Sequence, residues 1–274
     1  MYRVQLRSLN SGAPRAMALM QQAGWQYSAY QLGLGEVGYP RLVNMWDLYL
    51  LALNDVIEME GETSPALLQP LEGMLQAQYL IAGYDGGTQT AGFSADTYDN
   101  RQQQGRFYAY RSQSYEKGQA VINAIYDIKR EQYGADSVET AEARIMLGDW
   151  FQWHGERQDA ARSYRAALAE LMTLENAQQE VDRLFGEPVA LPDVAGVRPL
   201  PRAEQAGTGH VLLEYGVTET GRVVNLERLD ENSSIDGKAN RLMRKLRQTP
   251  FRPRFEAGEP VATEKLVRAY EVIQ

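Results

Sequence analysis

Residues 209–229 have the sequence GHVLLEYGVTETGRVVNLERL, and the placement of the apolar side chains in it predicts two paired strands. Every second position of its first half is apolar: Val211, Leu213, Tyr215 and Val217. Such alternation lines one face of a half-buried strand. A second apolar run begins at Val223, after a short turn that contains Gly221. Two runs joined by a glycine-containing turn are typical of a β-hairpin.

After this hairpin the spacing of the apolar residues changes from that of a strand to that of a helix, and near the end of the chain it returns to that of a strand. One helix face is indicated by four residues at helical spacing: Ala239, Leu242, Met243 and Leu246. The helix is expected to end before Pro253, because proline cannot continue the hydrogen-bond ladder. Residues 265–273 are apolar on both faces and predict a last strand. A small sheet with one helix against it buries these faces, so residues 207–274 are expected to form a β-β-α-β domain.

Five further short motifs lie at defined positions of this domain. They are Gly209-His210-Val211, Gly221-Arg222-Val223, Phe251-Arg252-Pro253, Gly258-Glu259-Pro260-Val261 and Tyr270. At these positions the domain resembles the TonB C-terminal domain of the bacterial envelope. The chain departs from that family at Leu200-Pro201, where the family carries Tyr-Pro. The resemblance implies a periplasmic module that binds other proteins, in the best-known case by pairing a strand with a peptide of an outer-membrane transporter.

The last strand of this domain is predicted to lie at an edge of the sheet. An edge strand has unpaired backbone groups that accept a strand from a partner. The candidate edge residues are Leu266, Arg268, Tyr270 and Val272.

The preceding part of the chain contains small and large residues at a recurring spacing. Between residues 144 and 167 these are Leu147, Gly148, Phe151, Ala160, Tyr164 and Ala167. Small residues let two antiparallel helices approach closely, and large ones fill the seam between them. A related spacing recurs upstream after shifts of about 42 and about 73 residues, the larger of which places Ser64 on Ser137. These residues resemble the tetratricopeptide repeat (TPR), which implies helix pairs stacked into a short solenoid.

The predicted fold class is therefore α+β, and three parts are expected. Residues 1–186 form a TPR-like helical domain, in which residues 83–105 are a long loop and residues 168–184 extend the last helix. Residues 187–206 are rich in proline and glycine and are predicted to be a linker. The TonB C-terminal-like domain follows over residues 207–274.

The TPR resemblance also implies a peptide groove, because the first helix of each pair lines the inner surface of the stack. Its candidate residues are Glu72, Gln76, Tyr79, Glu142, Ile145, Asp149 and Gln152. The carboxylates in this set favour a basic or neutral peptide as the ligand.

No catalytic or metal site is predicted. The chain has no cysteine, which excludes disulfides and thiolate chemistry. Its two histidines, His154 and His210, lie outside any zinc-binding motif. Three acidic residues of the long loop, Asp85, Asp96 and Asp99, lack the spacing of a known calcium loop.

No cofactor site is predicted either, although residues 33–38 spell GxGxxG. The dinucleotide fingerprint needs a strand before these glycines and a helix directly after them. Tyr39-Pro40 follows the last glycine, and no β-branched run precedes the first one. A loop is therefore favoured over a nucleotide site.

Charge and hydropathy limit the partners and the location. The formal net charge is -8, and residues 201–274 carry 12 Lys and Arg against 11 Asp and Glu, so the acidic excess lies in residues 1–200. An acidic surface disfavours nucleic acid. No apolar run reaches the roughly 20 residues that cross a bilayer. Residues 1–30 lack the continuous apolar core of a signal peptide, so the protein is expected to be cytoplasmic, or periplasmic with a leader upstream of Met1.

These observations favour a non-enzymatic adaptor of the bacterial cell envelope that binds proteins or peptides. One alternative is a cytoplasmic TPR scaffold whose degenerate C-terminal domain caps or dimerises the repeats. Another is an enzyme that uses residues 83–105 as a lid. Neither a cofactor nor a membrane span is expected, and the oligomeric state stays open.

Overall fold

The computed structural model describes residues 12–31, 38–84, 98–192, 197–200, 203, 207 and 209–272. Over these residues the chain is α+β, as predicted, with most of the helices ahead of a small sheet region near the C-terminus. Two compact units are present, Met1–Ala135 and Asp136–Gln274. No helix in the described ranges has both the length and the apolar character that a membrane crossing requires.

The described part of the first unit is helical. It comprises α1 (Ala13–Gln31), α2 (Tyr39–Glu60), α3 (Leu68–Ala82), α4 (Tyr98–Ser112) and α5 (Ser114–Tyr133). Helix α1 packs along α2, α2 contacts α3 and α4, and α3 contacts α5. Their facing sides bury Leu42, Met45, Ala52, Met74, Ile81, Ile122 and Ile125. Burial of this apolar surface is what holds the bundle together.

Three predictions fall within this unit. The apolar stripe of α1 is buried, but the helix runs through Gly24 to Gln31 rather than ending at that glycine. The predicted helix start at Ser64 is confirmed, since its hydroxyl accepts a hydrogen bond from the Ala66 N–H at 3.1 Å. The predicted loop over residues 83–105 is wrong from Tyr98 onward, where α4 begins. Residues 85–97 lie outside the described residues.

The GxGxxG stretch is followed by a helix, contrary to expectation. Helix α2 begins at Tyr39, directly after Gly38, with Pro40 in its first turn. Proline is favoured there, because its missing N–H would have no intrahelical partner. Residues 33–37 lie outside the described residues. The segment before them is α1, not a strand, so the strand-turn-helix context of a dinucleotide site is not formed.

Two helix connectors share one backbone geometry. Helix α2 is followed by Gly61 (φ 89°, ψ 174°) and α5 by Gly134 (φ 89°, ψ 166°), a conformation that essentially only glycine adopts. Each glycine N–H donates to the carbonyl four residues earlier, of Ile57 and Arg130 respectively. A capping serine follows three residues later in both cases, Ser64 and Ser137. The two connectors therefore match at the 73-residue shift found in the sequence.

The second unit begins with a helical hairpin, α6 (Val138–Trp153) and α7 (Arg157–Leu171), followed by α8 (Ala177–Phe185). Gly148 faces the ring of Tyr164, and a Cβ at that glycine would lie 2.5 Å from a ring carbon. The predicted pairing of a small residue with a large one in this seam is thus confirmed. The predicted continuous helix over residues 168–184 is wrong, because α7 ends at Leu171 and a turn stabilised by the Leu174 N–H to Leu171 carbonyl bond separates it from α8.

The strands of the second unit form one four-stranded sheet and two short pairs. In chain order they are β1 (Val189–Ala190), β2 (Val197–Pro199), β3 (His210–Val217), β4 (Val223–Arg228), β5 (Phe251–Arg252), β6 (Arg254–Glu256), β7 (Glu259–Val261) and β8 (Thr263–Val272), with α9 (Asp236–Gln248) between β4 and β5. The antiparallel sheet has the order β2-β8-β3-β4, while β1 pairs with β5 and β6 with β7.

The predicted hairpin, helix and last strand are confirmed. The alternating residues of β3 are all buried and pack with α9 and β8 in one core: Val211, Leu213, Tyr215, Val217, Ala239, Leu242, Leu246, Leu266 and Tyr270. Met243 is only partly buried at its margin. The turn is closed by the Gly221 N–H donating to the Thr218 carbonyl at 2.9 Å.

The structure corrects the prediction that residues 187–206 are a linker, because two segments of this range form strands. Val189 and Ala190 pair with Arg252 and Phe251, and the N–H of Leu191 donates to the Pro250 carbonyl at 2.9 Å. Strand β2 pairs with the end of β8, and the N–H of Leu200 donates to Ala269. Backbone hydrogen bonds therefore anchor residues 189–191 and 197–200, which belong to the predicted linker. Helices α6 to α8 also belong to the same compact unit as the sheet, so the boundary lies after Ala135 rather than after residue 186.

Gly221 is the position where an added methyl group should do most harm. Its φ is +75°, and a Cβ there would overlap the Phe251 carbonyl oxygen and lie 2.5 Å from the Gln152 amide nitrogen. We expect Gly221→Ala to lower the free energy of unfolding by about 3 kcal/mol or more, measured by urea denaturation. Gly258→Ala is the matched control, because Gly258 has φ +83° but faces open space, so only the conformational cost of roughly 1 kcal/mol should appear. Equal losses in the two variants would contradict this account.

Asp230 should make stability depend on acid pH. Its carboxylate accepts hydrogen bonds from Arg228 and from the N–H groups of Leu212 and Asn232, and the guanidinium of Arg228 contributes most to lowering the pKa of Asp230 below 3.8. A group with a depressed folded-state pKa stabilises the fold above its unfolded pKa and loses that contribution as the pH falls through the folded value. Asp230→Asn should therefore lower the free energy of unfolding by about 1 kcal/mol at neutral pH, and the difference from the wild type should shrink below about pH 4. A difference that stays constant down to strongly acid pH would argue against this role.

Candidate functional site

The predicted groove residues of α6 contact the C-terminal strands of their own unit. Gln152 is only 8% exposed, and its Nε2 donates to the backbone carbonyls of Thr220 and Phe251, both at 3.0 Å. Asp149 accepts a hydrogen bond from the Tyr164 hydroxyl at 2.9 Å and pairs with the Arg252 guanidinium at 3.0 Å. These contacts fix the hairpin turn and β5 against the helix.

The Asp149 carboxyl lies in a buried, charged environment. Burial raises its pKa, while the positive charge of Arg252 and the hydrogen bond from Tyr164 oppose that rise. Removing one partner of such a pair leaves the other charge buried without compensation, which is more costly than the pair itself. The pair therefore positions β5 against α6.

The other two α6 residues of the predicted groove are also engaged. Ile145 is buried, and Glu142 accepts a hydrogen bond from Arg183 of α8 at 2.8 Å. The structure thus corrects the prediction that α6 presents an open groove at Glu142, Ile145, Asp149 and Gln152. On α3 of the first unit, Glu72 is exposed and Gln76 and Tyr79 are half-buried. A peptide site at these three residues stays a prediction.

The predicted edge strand is covered over part of its length. Strand β8 lies between β2 and β3, and β2 pairs with it from Tyr270 to Val272. Leu266 and Tyr270 are buried, and the hydroxyl groups of Tyr270 and Tyr215 lie 2.9 Å apart. Burial of this pair raises the pKa of both tyrosines. Arg268 pairs with Glu187, so these side chains contribute to the core and to an ion pair at the sheet margin. Pairing of a partner strand with β8 ahead of Tyr270 stays a prediction.

Strand β4 occupies the opposite edge of the four-stranded sheet. A register shift between Glu214 and Gly216 interrupts its pairing with β3, and Asn225 has a positive φ of 51°. Bulges and polar residues of this kind discourage edge-to-edge pairing.

The two histidines have structural surroundings. His154 packs against the rings of Trp150 and Trp153 at centroid distances of 4.5 and 4.8 Å, and burial lowers its pKa. The Nδ1 of His210 accepts a hydrogen bond from the Gly207 N–H at 2.8 Å. Asp85, Asp96 and the side chain of Asp99 lie outside the described residues. Within the described ranges, no group of three or more His, Asp or Glu side chains is arranged to hold a metal ion.

Three polar residues of the first unit, Asp47, Arg106 and Tyr110, bond to one another. The Tyr110 hydroxyl donates to Asp47 at 2.9 Å, and Arg106 pairs with the same carboxylate. Burial is the main cause of the raised pKa of Tyr110. These mutual bonds anchor α4 to α2 and do not resemble a nucleophile with its base.

One feature of the described residues that could receive a ligand is a cleft of about 950 Å³ in the second unit, between α7, α8 and the β6–β7 hairpin. Its apolar lining is formed by Leu168, Ala169, Met172, Val181 and Phe255. Met172 lies at its rim and is 63% exposed. We name this feature the α7–α8 cleft.

Local sequence accounts for the shape of the α7–α8 cleft. The turn after Leu171 directs α8 away from the line of α7 and leaves Met172 at the rim. Phe255 contacts the rings of Tyr164 and Phe185 at 5.5 and 5.0 Å, which fixes one wall. Ala257 and Gly258 both have positive φ, the geometry of the tight turns that join two strands directly.

Charged side chains surround the apolar lining, and most of them are paired. Arg165 pairs with Glu259 at 2.7 Å, Arg254 with Glu256 at 3.3 Å, and Glu187 with Arg268. Asp182 accepts a hydrogen bond from the uncharged Gln178 amide at 2.7 Å. An apolar floor with a polar rim suits the binding of a side chain or a peptide segment.

Sequence reasoning missed this cleft, because its three walls come from separated segments. Comparison with protein-family models, with curated proteins and with solved structures finds no match to this chain.

Gln152→Leu should loosen the contact between α6 and the C-terminal strands. The substitution removes two hydrogen bonds and leaves the carbonyls of Thr220 and Phe251 without their donor. We expect the free energy of unfolding to fall by about 2 kcal/mol, measured by urea denaturation.

The matched control is Gln132→Leu, because Gln132 is exposed and makes one long hydrogen bond of 3.5 Å. Its effect should stay within about 0.5 kcal/mol. If Gln152→Leu were as mild as this control, the double hydrogen bond would not hold the strands.

Proposed function

We propose that this chain is a non-enzymatic protein–protein interaction adaptor of the bacterial cell envelope. The observation that carries the proposal is the α7–α8 cleft, in which the exposed Ala169 and Met172 lie beside a buried apolar floor and inside a rim of charged residues. A concave, partly apolar surface with polar groups at its rim is the arrangement in which protein ligands place a side chain. The partner is a protein or a peptide.

The helical hairpin supports the TPR-like part of the proposal. Gly148 meets Tyr164 in the seam between α6 and α7, and the Gly61 and Gly134 connectors share one geometry. Such agreement at a fixed spacing is what a repeated helical element requires. We infer that residues 1–186 derive from TPR-like repeats.

The order of β3, β4, α9 and β8 supports a TonB C-terminal-like module. The apolar faces of these four elements meet in one core, as the resemblance implies. A periplasmic location follows from this resemblance and is part of the proposal. A link to TonB-type transport rests on the same resemblance and belongs to the proposal.

The contacts of Gln152 and Asp149 favour a second candidate function. They join the C-terminal strands to α6, as expected of a cytoplasmic TPR scaffold whose C-terminal domain caps the helices. In that case partners would bind outside the α7–α8 cleft.

Met172→Glu tests the adaptor function. It places a charge on the apolar rim without disturbing the core, because Met172 is 63% exposed. The full chain would be crosslinked in cell-envelope fractions and its bound proteins identified. We expect partner capture to fall by about tenfold, the size of effect produced by disrupting a central apolar contact.

The matched control is Met17→Glu, since Met17 is a second exposed methionine, 58% exposed, on α1 of the other unit. Partner capture should be unchanged in this variant. If Met172→Glu captured the same proteins as the wild type, the cleft would not be the binding site and the capping scaffold would be favoured.

A further inference from the structure

We propose that the α7–α8 cleft binds a polypeptide segment in which a Lys or Arg side chain, flanked by apolar residues, pairs with Asp182. This inference rests on the proposed function and names the chemistry of the partner. Asp182 lies on α8 and lines the cleft together with Val181 and Met172. The Asp182 carboxylate therefore adjoins the apolar contact surface.

The balance of charge along the cleft singles out Asp182. Both arginines of the lining, Arg165 and Arg254, are neutralised by glutamates, and Glu187 is neutralised by Arg268. The described hydrogen bond of Asp182 comes from an amide that carries no charge. The Asp182 carboxylate would repel a bound anion, whereas a bound cation would neutralise its negative charge.

Arg183, the nearest basic residue in the sequence, does not compensate Asp182. Its guanidinium pairs with Glu142 at 2.8 Å and with Glu180 at 2.8 Å. Two acidic partners therefore already share this cation.

The position of Asp182 within α8 strengthens the preference for a cation. It lies in the last turn of the helix, and its own carbonyl accepts the hydrogen bond from Gly186 that ends α8. The C-terminal end of a helix carries partial negative charge, so a carboxylate there is unfavourable and a cation is favourable. Helix α7 also ends at the cleft, with Met172 as its last half-helical residue. Two helix ends and a carboxylate thus act in the same direction.

The apolar lining determines what must accompany the cation. Leu168 and Phe255 are buried in the floor, while Ala169 and Met172 are exposed at the wall. Methionine side chains adapt to ligands of different shape. A Lys or Arg side chain can lay its methylene groups along such a surface and keep its charge at the rim. A lone cation in water would gain little here, so the ligand is a segment with apolar neighbours on both sides of the basic residue.

The test uses a random library of short peptides displayed on phage, selected on the full chain. Clones that still bind the Met172→Glu variant are discarded. We expect the remaining peptides to contain a Lys or Arg flanked by apolar residues. A synthetic peptide of the best clone should bind Asp182→Asn about fivefold more weakly than the wild type, as expected for one partly exposed ion pair. Raising the salt concentration should weaken binding to the wild type and affect Asp182→Asn less.

Asp127→Asn is the matched control, because it removes one negative charge from an exposed position on α5. Peptide affinity should be unchanged in this variant. In methyl NMR with labelled methionine, the peptide should shift the Met172 signal and leave the Met17 signal in place.

Three results would overturn the inference: selected peptides that are acidic or neutral, equal affinity for Asp182→Asn, or a failure to select any peptide that depends on Met172. Dimerisation of the chain through the cleft, seen as a loss of self-association in Met172→Glu, would overturn it as well. The inference and the proposed function can fail separately. If Met172→Glu abolishes envelope-partner capture but Asp182→Asn does not weaken it, the adaptor stands and the basic partner is excluded; if neither variant changes capture, the proposed function fails.

Discussion

The side-chain amide of Gln152 holds two backbone carbonyls, and the arrangement of the second unit depends on this contact. Thr220 belongs to the turn between β3 and β4, and Phe251 begins β5 beside that turn, so one side chain of α6 holds two separate segments of the small sheet domain. The approach is possible because residue 221 is glycine, whose missing Cβ leaves room for the amide. Asp149 then fixes the next residue of β5 through Arg252.

The α7–α8 cleft follows from the same contact. Strand β6 continues from β5 after Pro253, so holding Phe251 against α6 also sets the position of Phe255. Phe255 packs on Tyr164 of α7 and Phe185 of α8, which brings the hairpin against the two helices. A core contact and the α7–α8 cleft are thus linked by four residues of chain. Residues that touch no ligand consequently determine the width of the cleft.

The parts of the fold that could be predicted from the sequence are those with local periodicity. Alternation from Val211 to Val217 predicted β3, because one face of this strand is buried in full. Gly148 and Tyr164 could be paired in advance, because helix spacing places them in one seam. The contacts of Gln152 could not, since they join residues 68 and 99 positions apart and a glutamine on a helix has no preferred partner in the sequence. Strands β1 and β2 are too short to show an alternation of apolar residues. The prolines around them favoured a linker instead, because proline is uncommon inside strands.

The error at the end of α7 and the failure to foresee the candidate site have one cause. Leu168 to Leu184 has helical composition throughout, and only the local bonds of residues 170–177 interrupt it. A straight helix would have carried Val181 and Asp182 away from Phe255. The turn is therefore what creates a concave surface, and turns of this kind depend on packing that propensity does not encode.

Strands β1 and β2 make the C-terminal sheet dependent on the residues that precede it in the chain. They belong to residues 187–206, yet they complete the hydrogen bonding of β5 and β8. A fragment cut at residue 207 would lose both partners, together with the helix that holds its first turn. Residues 207–274 are therefore not an independent module. Recombination that transferred them intact to another protein would have to include the chain from Asp136 onward.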